Sequence, residues 1–192
     1  LRVALVDGAK LFDLDTEVTD RVLYKGSIFK ATVSRIEQSL NAAFVNFGST
    51  RHGFLPLKEL SRNFYKKNSQ GKSECTLKEG QEILVQINKE ERGTKGATLS
   101  TQISIAGRFM VLIANSDKSG GISRRITGDE REDLKNQISK LDIPEGMGVI
   151  IRTAGIDRSF EELQNDLNYL ISLWDDINAT QASAAVSYTH LR

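Results

Sequence analysis

Hydrophobic and polar positions alternate along most of the first half of this chain, which is the period of strands rather than helices. Residues 1–6 and 10–15 flank Asp7-Gly8, a strong turn pair, and predict a β-hairpin. Residues 20–21 read as a connector. Residues 23–37 form a long β-rich stretch with Tyr24, Ile28, Phe29, Val33 and Ile36. Residues 42–47 give a second strand ended by Gly48, and residues 51–55 a third ended by Pro56. Residues 61–76 are polar and without apolar period, so a loop is expected. Residues 82–88 and 98–105 complete a set of five short strands, which predicts a small barrel or sandwich.

After Gly107 the pattern changes. Strands are expected at 109–114, 122–126 and 148–153. Thr127 with Glu130, and Ser159 with Glu162, have the spacing of capping boxes. The helix opened by the first carries Leu134, Ile138 and Leu141 on one face and stops before Ile143-Pro144. The helix opened by the second lines up Leu163, Leu167, Leu170, Ile171, Trp174 and Ile177. Residues 102–180 therefore predict a small α+β unit. Residues 182–192 do not continue the helical pattern, and 186–192 resemble translated sequencing-adapter read-through. The tail is therefore set apart from the fold, and Tyr188 and His190 from the functional candidates.

Alternation also says which rings face outward. Ala43, Val45 and Phe47 share one face, while Ala42, Phe44 and Asn46 share the other. Phe54 lies on the face of His52, not of Leu55. Two outward rings on neighbouring strands make a platform for stacking bases. The alternation equally allows both rings to be covered by a loop or neighbouring domain. The turn at 89–96 sets Lys89, Arg92 and Lys95 beside two glycines. Glycine lets backbone approach phosphate and cations neutralise it, although Glu90 and Glu91 offset part of that charge. A third group is Gly120-Gly121-Ile122-Ser123-Arg124-Arg125 with Ile151-Arg152-Thr153-Ala154-Gly155. Guanidinium and hydroxyl donors there suit a phosphate. The same arginines could instead pair with acids such as Glu161 and Asp166.

Composition narrows the function. The 192 residues carry 26 basic and 25 acidic side chains, a net charge of +1. No chain-wide positive field attracts nucleic acid, so any such site is a local patch. Cys75 is the single cysteine, which excludes an internal disulfide and a multi-cysteine zinc site, and suits a reducing compartment. No apolar run approaches the roughly 20 residues that span a bilayer, and no signal segment opens the chain. Leu1 already lies within a strand pattern, so the natural start is expected upstream. His52 has no Ser or Cys partner at a recognised spacing. Asp7, Asp13 and Asp15 read as turn and solvent-facing residues rather than metal ligands.

At Tyr24-Lys25-Gly26, Ala42-Ala43-Phe44-Val45, Arg51-His52-Gly53-Phe54-Leu55-Pro56-Leu57, the 89–96 turn, Gly121-Ile122-Ser123-Arg124-Arg125-Ile126 and Ile151-Arg152-Thr153-Ala154-Gly155, the chain resembles the ribonuclease E/G family. It looks more like the ribonuclease E branch, and the similarity runs from Leu1 to about residue 181. The resemblance implies a mostly β plus α+β chain in four parts. Residues 1–22 would be the first piece of a divided RNase H-like domain, as an N-terminal hairpin. Residues 23–101 would be an S1-type OB-fold barrel that binds RNA. Residues 102–181 would be a 5′-sensor domain, and 182–192 a non-native tail.

By the same resemblance, RNA contacts fall on Phe44, Phe54 and Lys95. A 5′-monophosphate pocket falls on Gly107, Val111, Arg152 and Thr153, with Arg124 and Arg125 as neighbours that could contact phosphate; Arg92 is a further phosphate candidate from the charge of the 89–96 turn. The family's catalytic acids and its Cys-Pro-x-Cys zinc link belong to later segments. No catalytic or metal residue is therefore expected in this chain, and it is expected not to cut RNA by itself. The whole protein would be a Mg²⁺-dependent, single-strand-specific endoribonuclease of RNA processing and decay, acting in rRNA and tRNA maturation and mRNA turnover. It would carry zinc, act as a homotetramer and lie in the bacterial cytoplasm, with association to the inner membrane face; these residues alone would form a monomer. A stand-alone S1 module and a scaffold that binds no RNA are the competing expectations.

Overall fold

The computed structural model describes residues 2–8, 10–16, 25–67, 71, 73–116 and 120–183. The chain opens with an antiparallel hairpin, β1 (Arg2–Asp7) and β2 (Lys10–Thr16). Gly8 takes a left-handed φ of 59° at its turn, a conformation glycine adopts without a Cβ clash.

The strand expected over 23–37 is shorter among the described residues. Lys25 and Gly26 form a turn, with Gly26 at φ 84°, and β3 runs over Ile28–Glu37. It is long because it serves two neighbours: residues up to Thr32 pair with β8 (Glu82–Lys89), and those from Thr32 pair with β4 (Ala42–Asn46). An irregularity between Val33 and Arg35 bends it between these partners. Next come β5 (Gly53–Pro56), the short pair β6 (Tyr65–Lys67) and β7 (Ser73–Cys75), and β9 (Thr98–Ser100). The strands close in the order β3-β4-β5-β9-β8, with β5 and β9 parallel. Phe29, Val33, Val45, Phe47, Leu55, Ile83, Val85 and Leu99 fill the interior.

The β6–β7 pair lies where a loop is expected. Three-residue strands with mostly exposed side chains leave no apolar period to read. What anchors them is Tyr65, whose hydroxyl donates to the Leu57 carbonyl at 2.7 Å while its ring packs on the barrel core.

The strand expected at 98–105 is two strands. The chain leaves the barrel after Ser100 and enters a second sheet at β10 (Ser104–Ala106), followed by β11 (Met110–Ile113) and β12 (Gly120–Ile122). Helix α1 (Gly128–Ile138), β13 (Gly148–Ile151) and α2 (Phe160–Ser183) complete the unit. The sheet order is β10-β11-β13-β12, and β12 and β13 are parallel, so α1 is a crossover helix. Residues 123–126, expected as strand, turn toward α1 and bury Ile126. The stripe Leu163, Leu167, Leu170, Trp174 and Ile177 of α2 packs with Met110, Leu112, Val149 and Ile151. Ala182 and Ser183, set apart from the helix by sequence, continue it. Their small side chains offer little apolar signal and oppose helix only weakly. Residues 184–192 lie outside the described residues.

One capping box forms and one does not. The Ser159 amide donates to Glu162 Oε2 at 3.0 Å, and the Glu162 amide to Ser159 Oγ at 3.2 Å. Thr127 makes no side-chain cap bond. Gly128 after it is left-handed at φ 66°, which breaks the geometry of the box. Arg131 ties that helix start down instead, donating to the carbonyls of Ser123 and Ile126 at 3.1 and 3.2 Å.

Barrel and α+β unit share structure. Ile28 and Leu84, from barrel strands, belong to the second core. Between them Gln86 is 4% exposed. Its Nε2 donates to the carbonyls of Gly26 (2.9 Å) and Ser104 (2.8 Å). Its Oε1 accepts from the Ser104 amide (2.9 Å) and hydroxyl (3.0 Å). Lys30 adds a bond to the Gln181 carbonyl near the end of α2, at 3.4 Å, beside its ion pair with Glu82.

Two predictions follow from these contacts. Replacing Gln86 by Ala leaves buried amide and carbonyl groups unsatisfied and is expected to cost about 2–4 kcal/mol in urea unfolding. Glu162's carboxyl is held below the usual carboxylate range, chiefly by the Ser159 amide. A lowered folded pKa means this stabilisation is complete above the unfolded pKa and lost as pH falls through the folded one. The stability difference between wild type and Glu162→Gln is therefore expected to vanish on acidification, read by denaturation at several pH values.

Candidate nucleic-acid interface

Strand register sets one row of side chains across the barrel's outer face. Arg35 on β3 pairs with Phe44 on β4, Phe44 with Phe54 on β5, Phe54 with Thr98 on β9, and Thr98 with Lys89 on β8. The two rings meet edge to face, centroids 6.1 Å apart at 65°. Both are half-buried, while Ala43, Val45 and Phe47 point into the core as alternation requires. Ala42, on the Phe44 face, is buried too, where it pairs with Pro56. Neither ring belongs to a core cluster of the described residues.

The row is asymmetric in charge. Arg35 is engaged by Glu37 at 2.7 Å, and Glu37 is held below the usual carboxylate range by the Ser39 hydroxyl and Arg35. Free cations lie at the other end. Arg92 and Lys95 exchange backbone bonds of 3.1 Å across a two-residue turn in which Gly93 has φ 60°. Lys89, Arg92 and Lys95 are exposed and in no ion pair among the described residues. The neighbouring acids are occupied elsewhere: Glu91 accepts from the Ser49 hydroxyl at 2.7 Å, and Glu90 from the Lys25 amide at 3.3 Å.

Contact with the β5 side fixes this turn. Arg51 donates to the Gly93 carbonyl, and the Phe54 amide to Ala97 at 2.8 Å. A Cβ on Gly96 would lie 2.3 Å from the His52 carbonyl oxygen. That close approach is why the position is glycine.

The second arginine group gathers at the C-terminal ends of parallel β12 and β13. The Ser123 amide donates to Ile151 at 2.9 Å, which brings exposed Arg124 and Arg125 beside the start of the Arg152-Thr153 segment. Arg152 Nη1 donates to the Gly107 carbonyl at 2.7 Å, and its amide to Phe109 at 2.8 Å. Thr153, also exposed, opens a short turn of helix, Thr153–Gly155. Val111 is half-buried and pairs with Ile150, which pairs in turn with Gly121. Arg124, Arg125 and Arg152 pair with no acid among the described residues. Asp166, considered from sequence as a partner, accepts instead from three backbone amides, of Arg108, Phe109 and Met110. Arg108 and Arg158 both lie over the Phe109 ring, at 5.0 and 5.4 Å.

Sequence reasoning missed Arg108 and Gln86, and it considered Asp166 only as an acid that could pair with the arginines. Gln86 lies in a strand and Arg108 in the turn before β11; the contacts of Gln86 span 18 and 60 positions and those of Asp166 56 to 58, largely to backbone atoms that no motif records.

Among the described residues no three His, Cys, Asp or Glu side chains gather as metal ligands. Cys75 is half-buried beside Tyr65, whose hydroxyl is pushed up by burial and then by Cys75. The side chains of Asp13 and Asp15 lie outside the described residues. No helix among the described residues is long and apolar enough to cross a membrane.

A closed five-stranded barrel joined to an α+β unit is the architecture of an S1-type domain followed by a second, sheet-and-helix unit. The S1 RNA binding domain model matches residues 23–102, and the Ribonuclease E/G family model matches 104–191, reaching into the tail set apart above. The chain is 51% identical to ribonuclease E of Haemophilus influenzae over 99% of its own length and 21% of that protein's. It is 51% identical to ribonuclease E of Escherichia coli over 95% of its length and 18% of the relative's. Ribonuclease G of Escherichia coli is 32% identical over 92% of the chain and 37% of that protein. The chain belongs to the ribonuclease E/G family, and it spans about a fifth of the ribonuclease E proteins it matches.

Because Gly96 holds the cationic turn against β5, Gly96→Ala is expected to weaken RNA binding several-fold with no charge removed. Filter binding at low salt, where phosphate contacts are strongest, checks this against a Lys95→Ala control.

Proposed function

We propose that this chain binds single-stranded RNA at two linked sites and contributes recognition, not hydrolysis, to a larger ribonuclease. The observation that carries the reading is the Phe44–Phe54 pair, half-buried and in register, with unpaired Lys89, Arg92 and Lys95 beside it. Rings accept the faces of unpaired bases and the cations follow the backbone, which favours single strands without demanding a sequence. Lys95, at the edge of the turn, takes a phosphate near the rings.

The arginine group is the second site. We assign Gly107, Val111, Arg152 and Thr153 to a pocket for a 5′ monophosphate, with Arg124 and Arg125 nearby. Arg152 spends one guanidinium donor on Gly107 and has the rest of its fork for an anion. Residues 102–181 are on this reading a 5′ sensor, residues 23–101 its RNA-binding companion, and residues 1–22 a piece of an RNase H-like domain.

The whole protein is proposed as an endoribonuclease of RNA processing and decay in the bacterial cytoplasm, a homotetramer using magnesium and zinc, in association with the inner membrane face. Its metal-dependent chemistry is assigned to parts other than these 192 residues.

The test is binding of the chain to a short A/U-rich RNA, with a Mg²⁺ cleavage readout. Stacking is worth about 1–3 kcal/mol per base, so Phe44→Ala with Phe54→Ala is expected to lower affinity by about tenfold or more. Unchanged RNA affinity together with a large loss of thermal stability would favour a scaffold that buries these rings under a partner. Cutting by clean protein would place the chemistry within this chain.

A further inference from the structure

We infer that Asp166 is the positioning residue of the arginine site: it fixes the turn that orients Arg152, and it withholds its own charge from that arginine. The inference rests on reading the site as a 5′-monophosphate pocket. Three consecutive amides converge on this one carboxylate from α2. Arg108 donates to Oδ1 at 3.0 Å, and Phe109 and Met110 to Oδ2 at 2.8 and 3.1 Å.

The turn at 107–110 closes on itself by the Gly107 amide donating to the Met110 carbonyl at 2.8 Å. Arg152 donates to two of the turn's carbonyls, to Gly107 with the guanidinium and to Phe109 with the amide. A continuous path of bonds thus runs from α2 through Asp166 and the turn to Arg152.

Gly107 is part of the same device. A Cβ there would lie 2.7 and 2.9 Å from the Asp166 carboxylate oxygens and 2.9 Å from Leu170 Cδ1. Glycine is required so that the carboxylate can reach the amides. An acid next to an anion site ordinarily repels the anion or captures the arginine. Here its lone pairs are spent on backbone donors, and Arg152 is left without an ion pair among the described residues.

The two roles predict opposite signs. As a bystander charge, Asp166 would oppose anion binding, and Asp166→Asn would strengthen it. As a positioning residue its neutralisation presents an amide NH₂ to backbone N–H groups, loosens the turn and lets Arg152 wander.

The experiment compares the full chain, Asp166→Asn and Asp166→Glu on two RNAs identical except for a 5′ monophosphate or a 5′ hydroxyl, with thermal melting of each protein. The expected result is that the monophosphate preference of wild type falls about tenfold in both variants, while 5′-hydroxyl RNA, held by the barrel face, binds within about twofold of wild type. A preference unchanged or increased in Asp166→Asn overturns the inference and leaves the pocket standing. Equal losses on both RNAs with a lowered melting temperature reduce Asp166 to a structural role. Asp166→Glu, which keeps the charge and displaces the carboxylate from the three amides, decides the matter if Asp166→Asn does not fold. A wild type that shows no preference removes the pocket itself, and the inference with it.

Discussion

The barrel closes through a parallel contact between β5 and β9 that two missing Cβ atoms make possible. A side chain on Gly53 would meet Leu99 Cδ1 at 2.4 Å, and one on Gly96 the His52 carbonyl at 2.3 Å. Parallel neighbours need no short connection, so strands far apart in sequence meet here with one paired position, Phe54 with Thr98. That one pairing carries the outer face. It places Phe54 between Phe44 and the cationic turn, and it joins the two ends of the sheet, removing edges that would otherwise pair with other chains. Ring pair and cations become one surface only because the barrel is shut.

A second constraint carries the barrel's geometry to the α+β unit. Gln86 faces away from the barrel interior, yet it is buried and fully bonded, three of its four bonds crossing to Ser104 and the fourth holding Gly26 at the barrel's entry. Apolar packing of Ile28 and Leu84 is non-directional and would tolerate sliding; a fully satisfied amide in a dry junction does not. The aromatic face and the arginine group are therefore held on one frame. For an RNA that touches both, binding the second site is an intramolecular step, and its gain depends on a fixed spacing.

The sequence was informative where one local period governs a residue's surroundings. Alternation put Phe44 and Phe54 outside and Val45 inside, and the 3.6 period placed the α2 stripe from Leu163 to Ile177. Ser159 with Glu162 was legible because a capping box is local. It failed at Thr127, where the same spacing is overridden by one left-handed glycine. It also failed at β6 and β7, whose strands are too short to show a period. A single run at 98–105 hid a change of sheet, because a strand that leaves one sheet for another keeps its alternation. Gln86 was not legible at all, and Asp166 was legible only as an acid for the arginines, a role it does not take. Their partners are backbone atoms of distant segments, and a side chain's neighbours of that kind leave no pattern in the residues around it.

Near-neutrality and anion binding are reconciled by where the acids go. Several carboxylates in this chain accept from backbone amides or hydroxyls rather than from arginine or lysine: Glu79 from Ile36, Glu90 from Lys25, Glu91 from Ser49, and Asp166 from three amides of one turn. Each such bond satisfies a donor that would otherwise need water, and each leaves a nearby cation without a competitor. Ion pairs among the described residues, Lys30 with Glu82, Arg35 with Glu37 and Arg158 with Glu162, use neither the turn cations nor Arg152. A net charge of +1 is thus compatible with two locally positive surfaces. Salt screens fields beyond about 10 Å, so at working ionic strength a phosphate feels the nearby unpaired cations and not the chain's total. In this fold the acids act as ligands for the backbone, and the unpaired cations are left to the solvent face.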